Sequence, residues 1–281
     1  MNNILVVLNN DDTSKVLMEK AFLLAPRSIS LMLVDVSDAD EANIHQQVSA
    51  LCEKYGMSNE NCIYAKAAST SQASLTQLVE VYVKENRPEL ILLRKPNLVK
   101  YPEKMDDVKS LIRNSTESHL LFCKNVKWKT PPEILCSLDI DDDTPAQDQL
   151  NDKIYGIATE TFGQGLNANL HLSTIIAMSR INEELEIVQP DEVMMEKGQA
   201  YLKDLEAIAN TKTNMGVQLH VTAGIPAKEI TSLTKKEHID LTMMGNVGRK
   251  GLSGLVIGNT AEKIFKTLES DVLLVHTEAS R

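Results

Sequence analysis

Ile4-Leu5-Val6-Val7-Leu8-Asn9-Asn10-Asp11-Asp12 and Ile134-Leu135-Cys136-Ser137-Leu138-Asp139-Ile140-Asp141-Asp142 are two versions of one segment. Each is a short apolar run ending in acidic turn residues, the pattern of a buried strand that leads into a loop. A second pair recurs in the same order near the ends of the halves. Glu117-Ser118-His119-Leu120-Leu121-Phe122-Cys123 parallels Glu269-Ser270-Asp271-Val272-Leu273-Leu274-Val275. Agreement at both ends makes chance a poor explanation, and the chain divides into two related units of about 130 and 150 residues. We expect them at residues 1–126 and 133–281, joined by a linker at 127–132 that holds Trp128 and Pro131-Pro132.

Within each half, strands and helices alternate. In the first, strands are expected near 4–8, 29–36, 61–67, 89–94 and 120–124, with helices near 13–25, 40–55, 72–86 and 104–117. In the second, strands fall near 133–138, 169–177, 217–223, 239–244 and 271–276, with helices near 145–165, 191–213, 226–236 and 259–268. Runs such as LILLR and DVLLV are short and aliphatic, as strands covered on both faces require. Leu75, Leu78, Val79 and Tyr82 recur at helical spacing. The implied fold class is α/β: two tandem units, each an open five-stranded parallel sheet flanked by helices with right-handed crossovers, Rossmann-like in layout. The second half carries an extra acidic stretch around 178–197, containing Pro190, that reads as a loop or a lengthened helix.

The 281 residues are 43% hydrophobic and 24% charged, ordinary for a globular protein, with a formal net charge of −10. That balance opposes non-specific binding to nucleic acid or to an anionic membrane surface. It does not oppose a local anion site made of backbone N–H groups. The four cysteines, Cys52, Cys62, Cys123 and Cys136, form no CxxC pair and no zinc spacing, and read as buried free thiols. The opening MNNILVVLNNDD does not read as a signal peptide. No apolar stretch reaches the roughly 18 residues of a membrane span. A cytoplasmic protein is therefore expected.

The segment with most chemical content is Met244-Gly245-Asn246-Val247-Gly248-Arg249-Lys250-Gly251-Leu252-Ser253-Gly254-Leu255-Val256-Ile257-Gly258-Asn259-Thr260-Ala261-Glu262. It follows the fourth strand of the second half and runs into a helix, and ligands of open α/β sheets bind beyond the carboxyl ends of strands. Gly245 and Gly248 remove side chains where a phosphate would approach the backbone. Gly258 precedes Asn259 and Thr260 at a helix start, where free N–H groups and the dipole favour an anion. A structural reading stands beside this one: Asn259 with Glu262 is also a capping-box-like start, and Gly251 and Gly254 suit any tight loop. The segment is neither a Walker A loop nor a dinucleotide fingerprint.

The Gly245, Gly248, Gly258 spacing resembles the signature of the universal stress protein family. The Gly224-x-Pro226 turn, Asp240 before the fourth strand and the closing Ser-Asp-Val-Leu-Leu-Val agree with it. With two halves in one chain, the likeness is closest to the tandem E-type members, strong from 217 to 276 and faint in the first half. The resemblance implies five-stranded parallel units that pack as a pseudo-dimer within one chain, with homodimerisation also open. It implies an adenine nucleotide, ATP or AMP, held by some members and not by others. Carried over by residue, Asp139 lies near the adenosine part, and Gly245, Gly248, Arg249, Gly258, Asn259 and Thr260 form the phosphate side. Nucleotide-binding members usually have Ser or Thr where this chain has Asn259.

The first half departs further. Asn9 stands at the position of Asp139, and Arg94-Lys95-Pro96-Asn97 replaces the Gly245–Gly248 region. Lys95 and Lys100 read as solvated surface lysines, and this half as a degenerate copy. His171 and His220 read as ordinary strand histidines. Asp139, Asp141, Asp142 and Asp143 read as a solvated acidic turn, with Mg²⁺ beside a nucleotide as the alternative. No nucleophile elbow or Ser-His-Asp set is recognisable. The resemblance implies a stress-response protein that binds an adenine nucleotide in its second half and acts as a sensor or adaptor. Two alternatives are a nucleotide-free scaffold, or binder of a nucleotide-sugar or lipid, and an ATP hydrolase with at most weak turnover.

Overall fold

Apolar runs separated by amphipathic stretches become parallel strands joined by helices in both halves. The computed structural model describes residues 3–9, 14–25, 28–34, 36–66, 74–178, 189–212, 216–246 and 259–277. The chain forms two compact units, Met1–Lys127 and Trp128–Thr277.

In the first unit the strands are β1 (Ile4–Asn9), β2 (Ile29–Val34), β3 (Cys62–Lys66), β4 (Leu90–Arg94) and β5 (His119–Cys123). Their order is β3-β2-β1-β4-β5, and every described pairing is parallel. The helices are α1 (Ser14–Leu24), α2 (Asp38–Tyr55), α3 (Leu75–Asn86) and α4 (Lys104–Asn114). Local chemistry fixes their ends. Ser37 caps α2 ahead of Asp38, Asp40 and Glu41, and Gly56 closes it at φ 66°, a left-handed angle that suits glycine. Ser74 and Gln77 form a capping box on α3. The buried stripe of α3 is Thr76, Val79 and Val83, with Leu75, Leu78 and Tyr82 half-buried beside it. The spacing expected from sequence is present, rotated by one position.

The second unit repeats the plan. Its strands are β6 (Glu133–Ser137), β7 (Asn169–Ala177), β8 (Val217–Gly224), β9 (Leu241–Gly245) and β10 (Asp271–Val275). They lie in the order β8-β7-β6-β9-β10, again parallel. The helices are α5 (Pro145–Ile157), α6 (Pro190–Ala209), α7 (Pro226–Lys236) and α8 (Asn259–Thr267). Proline opens α5, α6 and α7 at the position where a missing N–H costs nothing. Pro190 thus starts a helix; residues 179–188 of the acidic stretch lie outside the described residues. The helix expected over 145–165 passes into a π-helical turn at Ala158–Gln164. There the Thr159 hydroxyl donates to the carbonyls of Tyr155 and Gly156, at 2.9 and 3.1 Å, and competes with the regular ladder.

Asp240 ties the start of the second unit together. Its carboxylate accepts the backbone N–H of Glu133 at 2.9 Å and of Lys129 at 3.3 Å. The Trp128 indole N–H donates to Asp271 at 2.8 Å and its ring meets Phe162 edge-on, with centroids 5.9 Å apart. These contacts make Trp128 part of the second unit.

Candidate ligand site of the second unit

From β6 the chain crosses to β7 on one side and later returns to β9 on the other, so the strand order reverses between β6 and β9. In open α/β sheets this is where a crevice opens beyond the carboxyl ends. Ser137 pairs with Met244 there. Asp139 follows the end of β6, and Gly245 is the last residue of β9.

Asp139 is exposed, and its main chain is clamped by α5. The Asn151 Nδ2 donates to the Asp139 carbonyl at 2.6 Å, and Asn151 Oδ1 accepts from Asp139 N–H at 3.3 Å and from Gln147 Nε2 at 2.9 Å. The Asp139 carboxylate accepts the Asp141 N–H at 3.2 Å, and that of Asp142 accepts the Thr144 N–H at 3.0 Å. The Tyr201 hydroxyl donates to the Asp141 carboxylate. Burial pushes the Asp141 carboxyl above its ordinary value, as do the Asp139 and Asp143 charges, while Lys197 opposes them. The acidic turn is therefore organised by its own backbone and by Tyr201. Among the described residues, no three His, Cys, Asp or Glu side chains gather as a metal set would.

Gly245 lies against α5, where a Cβ would fall 2.3 Å from Leu150 Cδ2. Next along the chain, Asn246 is 3% exposed. Its backbone N–H donates to the Val275 carbonyl at 3.0 Å, but its side-chain Nδ2 is buried without a hydrogen-bond partner. A buried amide donor left unpaired costs free energy, and a ligand rich in acceptor oxygens would relieve that cost. His276 follows the neighbouring strand β10 and is 1% exposed. Burial, with a smaller contribution from the Lys153 charge, lowers its pKa to about 4. It is a neutral imidazole at neutral pH. Asn259 and Thr260 begin α8. Gly248, Arg249 and Gly258 lie outside the described residues.

The first unit places different groups at the matching positions. The Lys95 N–H donates to the Cys123 carbonyl at 2.7 Å, as Asn246 does to Val275. Arg94 occupies the place of Gly245, and Asn97 closes a tight turn by accepting the N–H of Lys100 and of Tyr101. The Lys100 ammonium lies 5.0 Å from the centre of the Tyr101 ring. The offset that aligns Ile4 with Ile134 also aligns Lys20 with Leu150. Lys20 is 1% exposed and donates to the Lys124 carbonyl at 3.1 Å.

One grouping was not legible in the sequence. His171 Nε2 lies 2.9 Å from Glu133 Oε2, and its Nδ1 lies 2.9 Å from His220 Nε2. The rings stack at 5.2 Å and 14°. An ionised carboxylate only accepts, so with both rings neutral His171 donates to Glu133 and accepts from His220. Burial raises the Glu133 carboxyl, but hydrogen bonds from Asn169 and His171 hold it below its ordinary value. Burial and the neighbouring His171 lower His220. The chain crosses β6, β7 and β8 in the amino half of the sheet, away from the crevice.

The fold is that of an open parallel α/β protein whose strand order reverses between β6 and β9. Residues 157–276 match the model of the universal stress protein family, a match confined to the second unit. It is 26% identical over 190 residues to the Universal stress protein E homolog of Haemophilus influenzae. It is 26% identical over 191 residues to Universal stress protein E of Escherichia coli K12. Both alignments cover 63% of this chain and 60% of the relative, so the match spans about three-fifths of those proteins' length. A solved structure from Pseudomonas aeruginosa UCBPP-PA14, described as a universal stress protein, superposes with a TM-score of 0.73 at 24% identity. It covers 98% of this chain and 93% of its own, which establishes the fold across both units.

Proposed function

We propose that the second unit binds an adenine nucleotide, ATP or AMP, in the crevice between β6 and β9, and that the protein acts as a sensor or adaptor in a stress response. The observation that carries this reading is the buried, unpaired Nδ2 of Asn246 at the carboxyl end of β9, beside β6, whose end is followed by Asp139. In this reading Asp139 faces the adenosine part, while Gly245, Gly248, Arg249, Gly258, Asn259 and Thr260 supply the phosphate side. Mg²⁺ would accompany a triphosphate, with the carboxylates of residues 139–143 nearest to hand. Hydrolysis is expected to be at most very slow.

Equilibrium binding of ATP and AMP tests the reading. Gly248→Val and Gly258→Val put β-branched side chains where backbone N–H groups would face phosphate. Both should abolish binding with the far-UV circular dichroism little changed. Equal affinity in wild type and variants would refute it. The packing of Gly245 on Leu150 favours a second reading, a nucleotide-free scaffold whose first loop glycine is required by the core alone. Nucleotide released on denaturing the purified protein separates the two.

A further inference from the structure

We propose that Cys52 and Cys62 are an oxidisable dithiol that a hydroperoxide closes reversibly to an intramolecular disulfide. Neither spacing nor composition marked these residues as a pair. The fold brings them together: Cys52 lies in the last turn of α2, Cys62 begins β3, and their sulfurs are 3.5 Å apart in a buried hydrogen-bonded contact. The connecting chain is held at both ends. The Cys52 carbonyl accepts the Met57 N–H at 2.9 Å, and after a short 3₁₀ turn at Asn59–Asn61 the Cys62 N–H donates to the Asn59 carbonyl. The two thiols thus face each other across a short, fixed reversal, where closure needs a small approach of the sulfurs.

The position gives an oxidant a route. In its unit, β3 pairs on one side with β2, and most of its residues are half-buried or exposed. Edge strands open at lower free energy than inner ones. Cys62 is 7% exposed against 2% for Cys52, so Cys62 meets the oxidant first. Burial, then the hydrogen bond with Cys52, raises the Cys62 thiol above its ordinary value, so the thiolate is scarce and the reaction slow at neutral pH. Cys136 offers a contrast: it lies fully buried in β6, its thiol pushed up to about 12 by burial.

The chemistry balances with hydrogen peroxide as oxidant. The Cys62 thiolate attacks a peroxide oxygen and the O–O bond breaks, giving a sulfenic acid and hydroxide. The Cys52 thiolate then attacks the sulfenyl sulfur; the S–O bond breaks, the S–S bond forms, and the departing oxygen leaves as water. In sum, two thiols lose two protons and two electrons, and one peroxide becomes two waters. Thiol–disulfide exchange with a reduced thiol reverses the step.

The test uses the full-length protein treated with hydrogen peroxide, then alkylated under denaturing conditions and mapped by trypsin and mass spectrometry. Residues 28–54 and 55–66 should be recovered as one linked peptide, lighter by two hydrogens and released by dithiothreitol. The rate of closure should rise about tenfold per pH unit below the thiol pKa. Cys52→Ser should trap the Cys62 sulfenic acid as a dimedone adduct and give no internal link. A parallel equilibration in glutathione redox buffer should populate the same link without peroxide. The proposal fails if neither treatment links these peptides, or if the link joins Cys123 or Cys136 instead.

Discussion

A Cβ on Gly245 would lie 2.3 Å from Cδ2 and 2.7 Å from Cγ of Leu150. Glycine is therefore required where β9 ends so that α5 can lie on the strand, whatever ligand the crevice takes. Gly245→Ala should cost about 1–3 kcal/mol from overpacking. Leu150→Ala alone should cost about 2–5 kcal/mol as a buried truncation. Combined, they should cost clearly less than their sum, because the alanine methyl fills space that the leucine leaves. Urea unfolding of the four proteins measures this, and strict additivity would dismiss the contact as the reason for the glycine.

Asp240 also tests a motif residue for a structural role. Its carboxylate is 10% exposed and accepts two backbone N–H groups from the start of the second unit. Asp240→Ala leaves the Glu133 N–H unpaired and should destabilise by about 1–3 kcal/mol. Asp240→Asn keeps one acceptor oxygen and should cost less. Chemical denaturation checks both, and an alanine variant as stable as wild type would show that water replaces the carboxylate without loss.

Much of this architecture was legible because it depends on near-neighbour patterns. The repeated segments at Ile4/Ile134 and His119/Asp271 fall on strands of the two parallel sheets, whereas the start of α3, expected near 72, falls at Leu75 behind the Ser74 and Gln77 capping box. The carboxyl-edge positions of Asp139 and Gly245 follow once the strands are ordered. Register and packing were not legible. Glu133, His171 and His220 lie on three strands far apart in sequence, and only the pairing of Leu135 with His171 and of Ser173 with His220 brings them into line. The Cys52–Cys62 contact depends on how a helix end meets an edge strand. The unpaired amide of Asn246 is invisible until burial is known.

Stability should fall as pH falls through the range in which buried His276 resists protonation. Its folded pKa is about 4, against 6.5 for an unperturbed histidine, with burial the main cause. The unfolded chain binds the proton first, so between pH 6.5 and 4 it binds more protons than the folded one. The contribution is complete above 6.5 and is lost progressively toward 4, on the order of 3 kcal/mol in all. His220, also lowered, acts in the same sense. Glu133, a carboxyl held low, adds its loss only near and below about pH 4. Urea unfolding free energies from neutral pH downward should show this slope, and His276→Leu should flatten most of it. An unchanged slope in that variant would assign the dependence to other groups.

Nucleotide, if bound as proposed, should bind once per chain and in the second unit. Arg94 stands where Gly245 clears the strand end, and Pro96 has no N–H to offer a phosphate. Asn9 lacks the carboxylate of Asp139, and the Asn97 turn already uses the backbone N–H groups of Lys100 and Tyr101. Titration calorimetry on the full chain should therefore give a stoichiometry of one, and Gly248→Val should remove all of the heat rather than half. Asn246→Ala deletes the amide proposed to meet a ligand acceptor and should weaken binding about tenfold, near 1.4 kcal/mol. Asn246→Asp should weaken it further, because it sets a carboxylate where a donor stood. Because Asn246 leaves a buried donor unpaired without ligand, the alanine variant should be no less stable than wild type in the absence of nucleotide. Two equivalent sites, or binding that survives Gly248→Val, would move the site to the first unit or out of the crevice.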